Sequence, residues 1–268
     1  ALKDIAGKLA TNVKSESENR DYLYNGMGSS AFQQKINTQI KDTKLTNYEV
    51  LKTVRSQGQT YVLIAMSRSA FVKDKLDQLK EINSKIESEL SEVKQKNKLL
   101  QLVSYNKAIQ LSDQARPLIY LIHAADSEHN KQSDLETYRG YEQKEKRLSE
   151  STKFFLSADP TLAPLVDQIK KVLQTNGFQI GSRASADSLL VISGSITENE
   201  IFSSKNVKID FDVQVKTAAG HVISSNSYQL TNSSMTSYAV AQQNALASFR
   251  SQIESKSQVY KMLGLSKP

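Results

Sequence analysis

Histidines, serine–lysine spacings, carboxylate pairs and short glycine clusters are the places where this sequence offers chemistry. His123 and His129 are six residues apart, so a continuous helix turns them to different faces, and His221 falls in a predicted hairpin turn. No His-Glu-x-x-His spacing accompanies them, and the chain has no cysteine. That composition removes disulfides, iron–sulfur clusters, thiolate zinc sites and cysteine nucleophiles together. Ser91 with Lys94, and Ser104 with Lys107, have the Ser-x-x-Lys spacing of serine–lysine hydrolases. Both pairs fall in or beside long polar-faced helices and lack the companion motifs, so they read as coincidence. Gly26-Met27-Gly28 has no downstream Gly-Lys to make a phosphate loop. Gly181-Ser182 and Ser193-Gly194-Ser195 do not complete the Gly-x-Ser-x-Gly frame of a nucleophile elbow and fit strand ends better.

Asp210 and Asp212 alternate with Ile209, Phe211 and Val213, so a strand sends both carboxylates to its polar face. Glu198 and Glu200 are a second such pair. A working acid–base pair needs one member desolvated to raise its pKa, and a solvated sheet face does not provide that. The expectation is a chain that is not an enzyme, with no catalytic residue, no metal and no cofactor.

Tyrosine is the enriched side chain, with 11 copies against 8 Phe and no Trp. It joins apolar area to a polar tip and suits recognition surfaces. Tyr22 and Tyr24 flank the polar loop near Gly26, and Tyr138 and Tyr141 lie on a polar helical segment. These four are the candidate interaction residues.

The net charge is +7, but basic residues are interleaved with acids, as in Lys73-Asp74-Lys75 and Lys144-Glu145-Lys146. No arginine-rich stripe with interleaved aromatics appears, so nucleic acid is not the expected partner. Attraction to acidic surfaces or anionic lipid is the simpler consequence. No apolar run is long enough to span a bilayer. The chain opens at Ala1 inside a helical pattern, which reads as a trimmed start that a signal peptide could have preceded.

The elements that must position these residues fall into three segments, and the fold class is α+β and modular. Residues 1–68 read as a helix-plus-antiparallel-sheet unit. Leu2, Ile5, Leu9 and Val13 share a helix face, Ile36, Thr38 and Ile40 alternate, and two strand runs, Tyr48 to Val54 and Thr60 to Met66, flank a turn at Ser56–Gln59. Residues 69–156 read as an antiparallel helical bundle or coiled-coil spacer. Val72, Leu76, Leu79, Asn83, Ile86, Leu90, Val93, Asn97 and Leu100 make a heptad seam, and one helix of ~35 residues would be about 50 Å long. Ala108, Leu111, Ala115, Leu118 and Ile122 continue the spacing, with Pro117 expected to kink the helix or start a new one. Residues 157–268 read as an α+β unit with an antiparallel sheet. It has a helix after Pro160 or Pro164 stopped by Gly177, and a short strand at Phe178 and Ile180. Strands at 188–196, 207–215 and 222–230 follow, and then a last helix carrying Tyr238, Ala241, Ala245, Phe249 and Ile253.

The N-terminal segment carries a resemblance. Ile5-Ala6-Gly7-Lys8-Leu9-Ala10 to Val13, a polar stretch, and a hairpin ending in Thr60-Tyr61-Val62-Leu63-Ile64-Ala65-Met66-Ser67-Arg68 resemble the family of the Helicobacter twenty-kilodalton outer-membrane lipoprotein and its secreted relatives. The resemblance implies export and a surface or extracellular location, and it brings no known catalytic residues to carry over. This sequence has no cysteine to acylate, which sets it apart from the lipid-anchored members. The C-terminal segment is similar in element order to small α/β modules of periplasmic assembly proteins.

The reading that results is a non-enzymatic secreted, periplasmic or outer-membrane-associated protein. It engages a protein partner, the envelope or a host surface through two modules joined by a helical spacer, and self-association through that spacer is open. The alternative is a structural component of an outer-membrane or flagellar complex.

Overall fold

A computed structural model describes residues 48–265. The expected elements at 2–13 and 36–40, and Tyr22 and Tyr24, lie outside the described residues. Two compact units are formed.

The first unit includes the described residues 48–89 and 108–140. Strands β1 (Tyr48–Ser56) and β2 (Gln59–Met66) form the expected antiparallel hairpin, turned by Gln57 and Gly58. Both turn residues have positive φ, the requirement of a tight hairpin turn, and Gly58 adopts it without steric cost. Helix α1 (Arg68–Leu90) buries Phe71, Lys75, Leu79 and Ile86. Ala115, Ile119, Tyr120, Leu121 and Ile122 of helix α2 (Lys98–Ala125) are buried around Pro117, and the helix runs through that proline without ending. Helix α3 (Lys131–Ser151) adds Leu135 and Tyr138 to the buried set of this unit.

The single long helix expected over the heptad seam is not formed. Helix α1 stops at Leu90, a 3-10 turn occupies Val93–Gln95, and α2 starts at Lys98. Asn97 explains the break. Its Oδ1 accepts the Leu100 backbone N–H at 2.9 Å, so it caps the new helix where a seam position was expected. The phase changes with it, since Leu99 and Leu102 are buried while Leu100 is exposed.

The second unit includes the described residues 90–107 and 141–265. Its five-stranded sheet has the order β4-β3-β5-β6-β7, with β3 (Lys153–Ala158), β4 (Gln179–Ile180), β5 (Ser188–Ile201), β6 (Ser204–Thr217) and β7 (Val222–Ser234). The antiparallel expectation holds for β5, β6 and β7. Strand β3 was not expected: 153–156 fall in the span read as helical, and the strand pairs parallel with both β4 and β5, so the sheet is mixed. Helix α4 (Ala163–Thr175) supplies the crossover that a parallel β3–β4 pair needs, and Gly177, at φ 89°, ends that crossover as expected.

One face of this sheet is covered. Phe154, Leu190, Ile192, Val207, Ile209, Phe211, Val213 and Val215 join one core with Ile169 and Leu173 of α4. Ala241, Ala245 and Phe249 of helix α5 (Tyr238–Gln252), and Val259, Tyr260 and Met262 of helix α6 (Lys256–Met262), complete it. The strict alternation of β6 is the reason. Its odd-numbered apolar side chains go inward, leaving Lys208, Asp210, Asp212 and Gln214 on the other face. Phe211 stacks on Tyr228 and meets Phe249 edge-on, both at 5.3 Å between ring centres. Gly194 stands opposite Phe211 on β5, where a Cβ would come within 2.1 Å of the Asp210 carbonyl oxygen.

Candidate interaction surface

The polar face of the sheet presents rows of directly paired residues, Ser193–Asp212–Ser227 and Ser195–Asp210–Gln229. They line an open depression of about 430 Å³. Its carboxylates are already engaged. Lys208 stands 2.9 Å from Asp210 and holds its carboxyl below the usual carboxylate range, helped by the Gln229 amide donating at 2.7 Å. Ser227 donates to Asp212. Both carboxylates are thus held by hydrogen bonds from residues of the same sheet face.

Ser104 meets a lysine other than the one its spacing suggested. Lys96 Nζ donates to Ser104 Oγ at 2.8 Å. Ser104 is 1% exposed, which closes its hydroxyl to a substrate. His123 Nδ1 lies 3.1 Å from the His129 carbonyl oxygen, and His129 Nε2 lies 3.1 Å from Asp134 Oδ2. Helix α2 ends at Ala125, so His129 lies beyond it, before α3. Among the described residues no group of three or more His, Asp or Glu side chains is placed to hold a metal ion.

Of the four candidate tyrosines, two are described. Tyr138 is 2% exposed; its hydroxyl donates to Asn83 Oδ1 at 2.7 Å and its ring faces the Arg116 guanidinium at 5.6 Å. It is a packing residue of the first unit and not an open recognition surface. Asn83, expected in the heptad seam, is its hydrogen-bond partner. Tyr141 is half-buried in the second unit. In the same unit, α3 carries Glu145, a buried carboxylate that accepts from Lys256 Nζ at 2.8 Å and from the Tyr260 hydroxyl, fastening α6. Burial, with the Glu145 charge nearby, pushes the half-buried Glu142 up to about 7.

The surface that stands out was not singled out from sequence. Strands β5 and β6 pair without a break from Ser188–Thr217 to Ile201–Ser204, and Phe202-Ser203 make the turn between them. Phe202 is at φ 48° and Ser203 at φ 65°, so both occupy the left-handed region that hairpin turns normally fill with Asn and Gly. A bulky residue held there costs about 1–3 kcal/mol. Phe202 is 98% exposed, so no packing contact of the described fold offsets that cost. Ile201 beside it is 52% exposed. Ser234 of β7 pairs with Lys205, which places Met235, 75% exposed, at the same end of the sheet. Lys205 pairs with Glu200 across the hairpin and lies 5.5 Å from the centre of the Tyr238 ring. Three apolar side chains therefore project from one sheet end, next to charges that neutralise each other.

No protein-family model matches the chain, and no curated protein matches it. Among solved structures, a minor lipoprotein from Acinetobacter baumannii is 14% identical with a TM-score of 0.35; the match covers 41% of this chain and 92% of that one. A lipoprotein from Neisseria meningitidis is 12% identical with a TM-score of 0.23, covering 39% of this chain and 99% of that one. No helix among the described residues is long and apolar enough to cross a membrane.

Proposed function

We propose that this chain is a non-enzymatic, envelope-associated or secreted bacterial binding protein that engages its partner through the apolar end of the β5–β6 hairpin. The observation that carries the reading is Phe202, a large apolar side chain set in water on a turn whose backbone disfavours it. A strained outlier with no structural return points to use elsewhere. The compartment follows from the resemblance of the N-terminal segment to a family of exported lipoproteins. In this reading 1–68 and 157–268 are the recognition modules and 69–156 is the helical connection between them. The satisfied carboxylates of the sheet face and the closed Ser104 hydroxyl agree with binding rather than catalysis.

Fractionation of the source bacterium, with wild type and Phe202→Asn compared, tests it. Wild type is expected in the envelope or the medium, within an assembly that the variant fails to join. A wholly cytosolic pool, or an assembly unchanged by the substitution, contradicts it.

A further inference from the structure

We propose that the hairpin end seats in the interface of an anionic lipid bilayer. This rests on the reading above and names the partner of the same surface. The shape favours a fluid partner. Phe202 stands beyond the last strand pair, Ile201–Ser204, with Met235 at the neighbouring strand end. Phe202 is 98% exposed, Met235 75% and Ile201 52%, so a protein pocket would have to supply all the complementarity, whereas lipid closes around whatever projects into it.

The charges favour it as well. Residues 201–204 and 233–237 carry no formal charge. The nearest ionised pair, Glu200 and Lys205, is internally neutralised, so no lone charge has to leave water as the tip enters. Ser203, Ser204 and Thr236 follow the apolar residues in the chain and bring short hydroxyls suited to headgroup oxygens to the same turn and strand end. The whole chain carries +7, which draws it toward an acidic surface before the tip arrives. A modest apolar insertion joined to electrostatic attraction is the combination that peripheral membrane binding requires.

The chain contains no Trp, so Phe202→Trp in the full chain introduces a single indole at the tip. Its fluorescence is followed against phosphatidylglycerol vesicles and against phosphatidylcholine vesicles. The expected result is a blue shift and quenching by brominated acyl chains with phosphatidylglycerol, weaker with phosphatidylcholine and reduced by salt. Phe202→Ala is expected to weaken sedimentation with phosphatidylglycerol vesicles about tenfold or more, and each such factor corresponds to about 1.4 kcal/mol. Equal binding to both vesicles, or to neither, overturns the proposal. A photoreactive side chain at position 202 then separates the two levels. Cross-links to a protein without vesicle binding overturn the lipid assignment and leave the recognition surface standing. Cross-links to nothing, without vesicle binding, overturn both.

Discussion

Replacing Phe202 with Asn is expected to make the protein more stable while removing its binding activity. The sign follows from the structure. Phe202 is 98% exposed when folded and stays exposed on unfolding, so its transfer term nearly cancels. What changes is the backbone. At φ 48° a bulky residue is disfavoured, whereas Asn tolerates the left-handed region and is favoured in two-residue hairpin turns. Relief of about 1 kcal/mol is expected, with Ser203→Gly at φ 65° adding a smaller increment of the same sign. In a unit of this size that raises Tm by about 2–4 °C. Thermal unfolding followed by circular dichroism measures it, and Phe202→Ala serves as the control that removes the ring without supplying a turn-forming residue. A fall in Tm with Asn refutes the reasoning, because it means that the ring makes contacts that its exposure denies.

The other expectations concern the interior. Glu142 has a folded pKa of about 7 against an ordinary 4.5, so the native state binds its proton more tightly than the unfolded chain does. Stability is therefore lost as pH rises through that window, and Glu142→Gln should be neutral below pH 4.5 and stabilising above pH 7. Because the group is half-buried, about 1 kcal/mol is expected, and urea unfolding at the two pH extremes reads it. Tyr138→Phe deletes the hydrogen bond to Asn83 and should cost about 1 kcal/mol, with a double-mutant cycle against Asn83→Ala showing coupling. Gly194→Ala forces a methyl against the Asp210 carbonyl oxygen and should destabilise the sheet by about 1–3 kcal/mol, seen as a lower urea midpoint.

What the sequence revealed depended on whether an element's pattern was local. Strand β6 was legible because its alternation is strict, and the turn to β7 because Ala218–His221 separates two strand runs. The parallel pairing of β3 was not legible. Lys153–Ala158 follows directly on a polar helix, and its partners Gln179–Ile180 and Ser188–Ile192 are distant in the chain. The break at 91–97 was hidden by a heptad pattern that continues through it. Only the capping chemistry of Asn97 distinguishes the two cases. The hairpin end was missed for a similar reason. Phe202-Ser203 has none of the Asn, Asp or Gly that marks such turns, so β5 and β6 were placed without the connection that joins them. The signal for that site was a contradiction, an apolar residue where the fold demands a turn, and it becomes visible only once the register is known.

Binding through the hairpin end is tested most directly by cross-linking in the living source bacterium. A photoreactive phenylalanine analogue is placed at position 202 in the full chain, and a second one at Gln214 on the polar face of the same sheet. Adducts with an envelope component are expected from position 202 and none above background from position 214. Equal adduct yields from the two positions, or none from position 202, contradict binding through that end.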